Sequence, residues 1–184
     1  MDQAIIKLYA TNLCIQELTL GQEDNIIKAV TYITKYNNTI NESLLFTINS
    51  LVLTGKEDTI NSFRKIDVKP AMCQSGTYAP SWIIKAKIKQ LLSLINNHKD
   101  ENILNIYLEF LTIHPFIDGN GRTAHILINV INLRRNQCLL IPSIHISREE
   151  FLKCFELARN KQKNQQKNQF NKWFNSHSIV QILS

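Results

Sequence analysis

The sequence has little of what marks a special fold. Five glycines and four prolines in 184 residues exclude a collagen-like or low-complexity chain. The four cysteines, Cys14, Cys73, Cys138 and Cys154, stand far apart with no Cys-x-x-Cys, which excludes a zinc ribbon or a dense disulfide framework. They read as small buried hydrophobes in a reducing compartment. No apolar run is long enough to cross a bilayer. Met1-Asp2-Gln3 carries neither a basic n-region nor an apolar h-region, so no secretory signal is predicted. The expected location is a bacterial-type cytoplasm, or outside it as an effector secreted without a cleaved signal.

Acidic residues are outnumbered, 15 against 21 Lys and Arg, for a net charge of +6. That excess could serve nucleic acid. The basic residues are scattered, however, and the run Lys161-Gln162-Lys163-Asn164-Gln165-Gln166-Lys167-Asn168 reads as a solvated helix face or linker. Nucleic acid is therefore not an expected partner, and neither is a membrane. Apolar content of 44% supports an ordinary core.

Helical patterns dominate. They are expected over 3–10, from Asp24 to Tyr36, from Asn41 or Ser43 to Gly55, and from Trp82 to about Asn97 behind a Ser81 cap. Two nearly all-apolar stretches follow. Ile103 to Ile113 is capped by Asp100, and Ile126 to Leu133 completes the second; helices apolar on every side are interior ones. Ser147-Arg148-Glu149-Glu150 forms a capping box for a helix through Leu157, and Phe170 to His177 closes the chain. Phe63 to Lys69 alternates and predicts a hairpin with the segment before Tyr78, turning at Gln74-Ser75-Gly76.

Between the two interior helices lies His114-Pro115-Phe116-Ile117-Asp118-Gly119-Asn120-Gly121-Arg122. Pro115 stops the first helix. Gly119 and Gly121 free the backbone to approach a ligand. The next helix starts near Gly121 with unpaired N–H groups and its positive dipole end toward the loop, a phosphate site. Arg122 adds a guanidinium fork. Asp118 suits Mg2+, which takes one carboxylate together with substrate phosphates. His114 titrates in the range of a general base. A lone histidine is more often structural, and Gly-Asn-Gly is often only a turn. A calcium loop counted from Asp118 fails, since Thr123 and Asn129 fall where Gly and Glu belong.

The run resembles the signature of the Fic (filamentation, Fido-domain) family, His-x-Phe-x-Asp/Glu-Gly-Asn-Gly-Arg-x-x-Arg. It matches from His114 to Arg122, and His125 replaces the final Arg. Phe63-Arg64, Val68 and Tyr78-Ala79-Pro80 resemble the family's flap. The likeness covers roughly residues 40 to 145. It implies a mostly α fold, a Fic-type helical bundle with one β-hairpin flap over the active-site loop, as a single domain over 1–184. The implied reaction moves AMP from ATP onto a Ser, Thr or Tyr hydroxyl of a target protein docked on the flap, about 63–79. A separate antitoxin or regulator is a further expected partner.

By that resemblance His114, Asn120 and Arg122 are catalytic, with His114 as the base. Gly119, Asn120, Gly121 and Arg122 hold the nucleotide, Asp118 holds Mg2+, and Phe116 is a structural wedge. His125 is the stand-in for the missing Arg at the far end of the triphosphate. Family variation also permits UMP, phosphate or phosphocholine transfer, or a catalytically weak binding module. Many relatives carry an inhibitory Ser/Thr-x-x-x-Glu-Gly/Asn helix. Aligned on Leu18-Thr19-Leu20, Cys14 falls at the Glu position and Glu17 lies a turn away, so no brake of that kind is expected.

Overall fold

The computed structural model describes residues 2–53, 62–69, 78–98, 100–143, 148–159, 164–176 and 178–182. At its centre lie α5 (Ile103–Ile113) and α6 (Asn120–Asn136). Ile106, Tyr107, Phe110, Ile126, Leu127 and Ile128 are wholly buried. Each such side chain contributes on the order of 1.5–3 kcal/mol. The other elements wrap this pair. They are α1 (Gln3–Gln16), α2 (Glu23–Thr34), α3 (Glu42–Val52), α4 (Ile84–Asn97), α7 (Arg148–Arg159) and α8 (Asn164–Ser176). The mostly α expectation stands.

Local chemistry sets the helix ends. Asn41 accepts from the Leu44 N–H at 2.9 Å and starts α3. Asn102, not the expected Asp100, accepts from the Leu104 N–H at 2.8 Å and starts α5. Ser81 opens a 3-10 turn, Ser81–Ile83, that runs into α4. α1 ends with a paired cap: the Thr19 N–H donates to the Cys14 oxygen at 2.8 Å and the Leu18 N–H to Ile15 at 3.3 Å. That motif places Leu18 in the left-handed region, φ 53°.

The described strands are not where a hairpin was expected. β1 (Cys138–Pro142) pairs antiparallel with β2 (Ser178–Ile182), with Leu140 opposite Val180. Buried asparagines of α6 secure β1 from the side. Asn129 Oδ1 accepts from the Leu140 N–H at 2.7 Å, and Asn132 Nδ2 donates to the Cys138 oxygen at 3.0 Å. Residues 62–69 form bends rather than a strand. Their polar groups bond to α5 and to Ser81 instead of to a ladder. The expected turn at Gln74–Gly76, Gly55 and Ser147 lie outside the described residues.

Candidate active site

The loop between α5 and α6 is fixed from three sides. Phe116 wedges into an aromatic cluster, its ring centroid 5.8 Å from Phe63 and 6.2 Å from Phe46. Asn120 folds back on the loop: its Oδ1 accepts from the Phe116 N–H at 2.9 Å and its Nδ2 donates to the Phe116 oxygen at 2.8 Å. Its side chain therefore shapes the loop, whereas the expectation gave its amide to the phosphate. From α3, Asn49 Nδ2 donates to the Asp118 oxygen at 3.0 Å and to Thr123 Oγ1 at 3.1 Å. Gly119 caps α6 at φ 76°, and a Cβ there would fall 2.9 Å from Asn49 Nδ2. No other residue fits that place without displacing Asn49.

His114 ends α5 in a left-handed conformation, φ 50° and ψ 61°, with its N–H donating to the Phe110 oxygen. The buried Arg64 holds it there. Arg64 Nε donates to the His114 oxygen at 2.7 Å and Nη2 to Ile113 at 3.3 Å, while the Arg64 N–H donates to Pro115 at 2.9 Å. Those carbonyls lie at the negative end of α5, where a cation is favoured. The same guanidinium bonds the Ile66 and Ala79 oxygens. Burial lowers the Arg64 pKa, and Asp67, 3.8 Å away, works against that. The His114 ring stacks on Tyr78, centroids 3.7 Å apart and planes 11° from parallel.

A cleft of about 150 Å³ results. His114, Asp118, Gly119, Asn120, Gly121 and Arg122 all line it, together with Glu17 and Thr19. Six of the seven expected site residues thus converge on one place. A neighbouring space of about 80 Å³ continues past His114 and Tyr78 to Phe151 and Phe155. Asp118 Oδ1 accepts from the Gly119 N–H at 2.6 Å and lies 3.4 Å from Arg122 Nη2. Arg122 is almost fully buried, and its Nη1 donates to the Val52 oxygen at 2.8 Å and to Gln22 Oε1 at 2.5 Å. Its fork is engaged on protein groups beside the cleft.

His125 does not join them. It is 1% exposed and shares a 2.9 Å hydrogen bond between Nε2 and the Tyr107 hydroxyl, with Phe174 of α8 stacked near it. Burial pushes its pKa down to about 3, so it is neutral at physiological pH. The expectation that it replaces the missing Arg at a terminal phosphate finds no support in this geometry. The side chain one turn past Arg122 points into an aromatic cluster that α7 and α8 complete.

Glu17 lines the cleft as well. Its carboxylate lies over the first turn of α6, where a Cβ on Gly121 would fall 2.6 Å from the carboxyl carbon. The reason is the cap on α1: Leu18 turns left-handed right after Glu17. Of the two side chains, Glu17 and not Cys14 reaches the glycine turn. Cys14 is buried in α1, and burial raises its thiol pKa. Asn49 and Gln22 gave no sequence signal, and Arg64 was legible only as flap wording.

The family model for the Fic/DOC family matches residues 39–131, half of the chain. The chain belongs to the Fic/DOC family. Members of this family are typically transferases that move nucleotides or other phosphate-linked groups onto proteins. A Fido domain-containing protein of Dictyostelium discoideum is 41% identical over 49 residues, 27% of this chain and 34% of that relative. The match thus spans about a third of its length.

Solved structures share the fold at low identity. A Fic domain-containing signaling protein from Bacteroides thetaiotaomicron superposes with TM-score 0.73 at 16% identity, over 95% of this chain and 83% of that one. BepC, a VirB-translocated effector of Bartonella tribocorum solved with AMPPNP, gives 0.68 at 16% identity over 86% and 84%. IbpAFic2 covalently tethered to Cdc42 gives 0.57 at 16% over 71% and 46%.

Proposed function

We propose that this chain is a protein adenylyltransferase that moves AMP from ATP to a Ser, Thr or Tyr hydroxyl of a target protein. The observation that carries the reading is the placement of His114 across one cleft from the Gly119–Gly121 turn and Asp118. The residues fit a phosphate with a hard cation beside it. A carboxylate, that of Glu17, already lies over the α6 N-terminus, which marks this turn as a place for an anion. Asp118 is half-exposed at its rim, where it would hold Mg2+.

In this reading His114 takes the proton of the target hydroxyl as its oxygen bonds to the α-phosphorus. The bond from the α-phosphorus to the bridging oxygen breaks, and pyrophosphate leaves. Base assistance of this kind contributes about 10²–10⁴ in rate. The main-chain N–H groups of Gly121 and Arg122 hold the phosphate oxygens as charge shifts across them. Mg2+, when bound, offsets the negative charge on the phosphates. BepC crystallised with an ATP analogue and IbpAFic2 with a protein target support both halves of the reading.

One observation favours a second reading. Among the residues lining the two spaces Arg122 is the single cation, and His125 is turned away. A donor with only two phosphates would lose nothing by that, which among the other groups favours phosphocholine from CDP-choline. Lysate incubated with the chain, Mg2+ and α-labelled ATP separates the two. A labelled protein band lost in His114→Ala is expected. Labelling from UTP, CDP-choline or γ-labelled ATP instead would replace AMP with the other group. No label from any donor would sink the transferase reading.

A further inference from the structure

Two short segments, 62–69 and 78–83, both reach His114 and are joined to each other. The Ser81 N–H donates to Asp67 Oδ1 at 2.6 Å, and Arg64 Nη2 donates to the Ala79 oxygen. This junction carries the most exposed large apolar side chain of the described residues. Trp82 is 83% exposed, and Ile66, next to Asp67, is 63% exposed. A tryptophan so open to water loses most of what its burial would contribute. Exposed apolar residues scattered singly are ordinary, whereas these two each stand next to the Asp67–Ser81 hydrogen bond that joins their segments.

The lysines around that junction outnumber its exposed carboxylate, Asp67. Lys65 and Lys69 are exposed on one segment, and Lys85 and Lys89 on the outer face of α4, one and two turns from Trp82. None of the four forms an ion pair with a described residue. The nearby carboxylates are already engaged: Asp67 by Ser81 and Arg64, and Glu109 with Lys87 at 3.9 Å. Tyr78, stacked on His114, stands four residues before Trp82. Chain geometry limits that separation to about 14 Å.

We propose that Trp82 and Ile66, ringed by Lys65, Lys69, Lys85 and Lys89, dock an acidic segment of the protein substrate. Trp82 is its apolar anchor. The role as substrate dock rests on the transferase reading; the binding itself does not. A segment seated on Trp82 needs about four residues to bring a hydroxyl to His114. The lysines steer acidic proteins toward the cleft and penalise basic ones, so the surface selects partners as well as holding them. Aromatic anchors within a charged rim are where binding energy concentrates.

The test uses the full chain carrying Trp173→Phe, in which Trp82 is the remaining tryptophan. Poly-L-glutamate is expected to shift Trp82 emission to the blue with saturation. The midpoint should weaken about tenfold or more in Lys85→Glu/Lys89→Glu. No shift, an unchanged midpoint in the double variant, or a larger response to duplex DNA or phosphatidylserine vesicles would overturn the proposal. A second measurement addresses the substrate role. Trp82→Ala should lose about tenfold of lysate labelling while calorimetric ATP affinity stays within about twofold. Equal labelling with intact ATP binding overturns the dock and leaves the transferase standing. If the wild type labels nothing, the transferase reading fails while the emission arm still decides whether the surface binds acidic chains.

Discussion

Arg64 donates its Nε–H to the main-chain oxygen of His114 at 2.7 Å, and His114 is one of three non-glycine residues at positive φ among those described. The left-handed backbone costs about 1–2 kcal/mol for an L-residue. The guanidinium offsets this by meeting the oxygens of Ile113 and His114 together, which a lysine's single ammonium cannot do in the same fork. Arg64→Lys is therefore expected to lower the transfer rate at saturating ATP about tenfold or more, with ATP affinity changed less than about twofold. Single-turnover labelling against calorimetry reads the split. An equal loss in both would mean that Arg64 merely holds the fold together.

Glu17 lies over the first turn of α6, where the proposed reaction would place a phosphate. Replacing its carboxylate removes a negative charge from the anion site, and a charged hydrogen bond there is worth about 1.5–3 kcal/mol. Glu17→Gly and Glu17→Gln should each bind ATP and Mg2+ about tenfold more tightly or better, read by calorimetry. Glu23, in the first turn of α2, does not line the cleft, and Glu23→Gly should change nothing. Equal affinity in wild type and both Glu17 variants would show that the carboxylate swings aside without cost.

Leu18 sets that carboxylate's direction at an energetic disadvantage. It is left-handed at φ 53° and 71% exposed, so its side chain gains little packing to offset the strain. Leu18→Gly is expected to stabilise the fold by about 0.5–1 kcal/mol in urea unfolding, because glycine adopts this conformation without a Cβ clash. A loss of stability would mean that Leu18 rests against something more than solvent.

The helical core and the loop chemistry were legible because their signals are local. Apolar residues on every side of 103–113 mark an interior helix, and Pro115, Gly119 and Gly121 punctuate the turn whatever surrounds it. What stayed hidden depends on tertiary partners. Asn129 and Asn132 look out of place on a buried helix until β1 supplies their hydrogen bonds. Phe63 to Lys69 alternates like a strand, but Arg64 and Asp67 bond across to α5 and Ser81, which bends the chain. His125 sits one turn from Arg122, so spacing placed it in the site. The groups that draw it inward are Tyr107 of α5 and Phe174 of α8, the latter more than forty residues on. Glu17 reaches Gly121 only because the cap of α1 turns at Leu18, and no residue type announced a left-handed leucine.

His125 makes the clearest prediction with pH. Its folded pKa is about 3, below the 6.5 of an exposed imidazole, so between those values the unfolded chain binds more protons. Stability from this group is complete above about pH 6.5 and falls as pH drops toward 3, by about 1.4 kcal/mol per pH unit. His125→Phe should remove that component, seen as a shallower decline in urea-unfolding free energy between pH 6 and pH 4 at about the same ATP affinity. Restoring the family's arginine is expected to harm the protein. His125→Arg would force a guanidinium against Tyr107 and Phe174, and a buried charge without a partner costs several kcal/mol, about 3–5 where measured. A His125→Arg variant as stable as the wild type, with tighter ATP binding, would mean that this side chain swings out of the aromatic cluster and into the cleft.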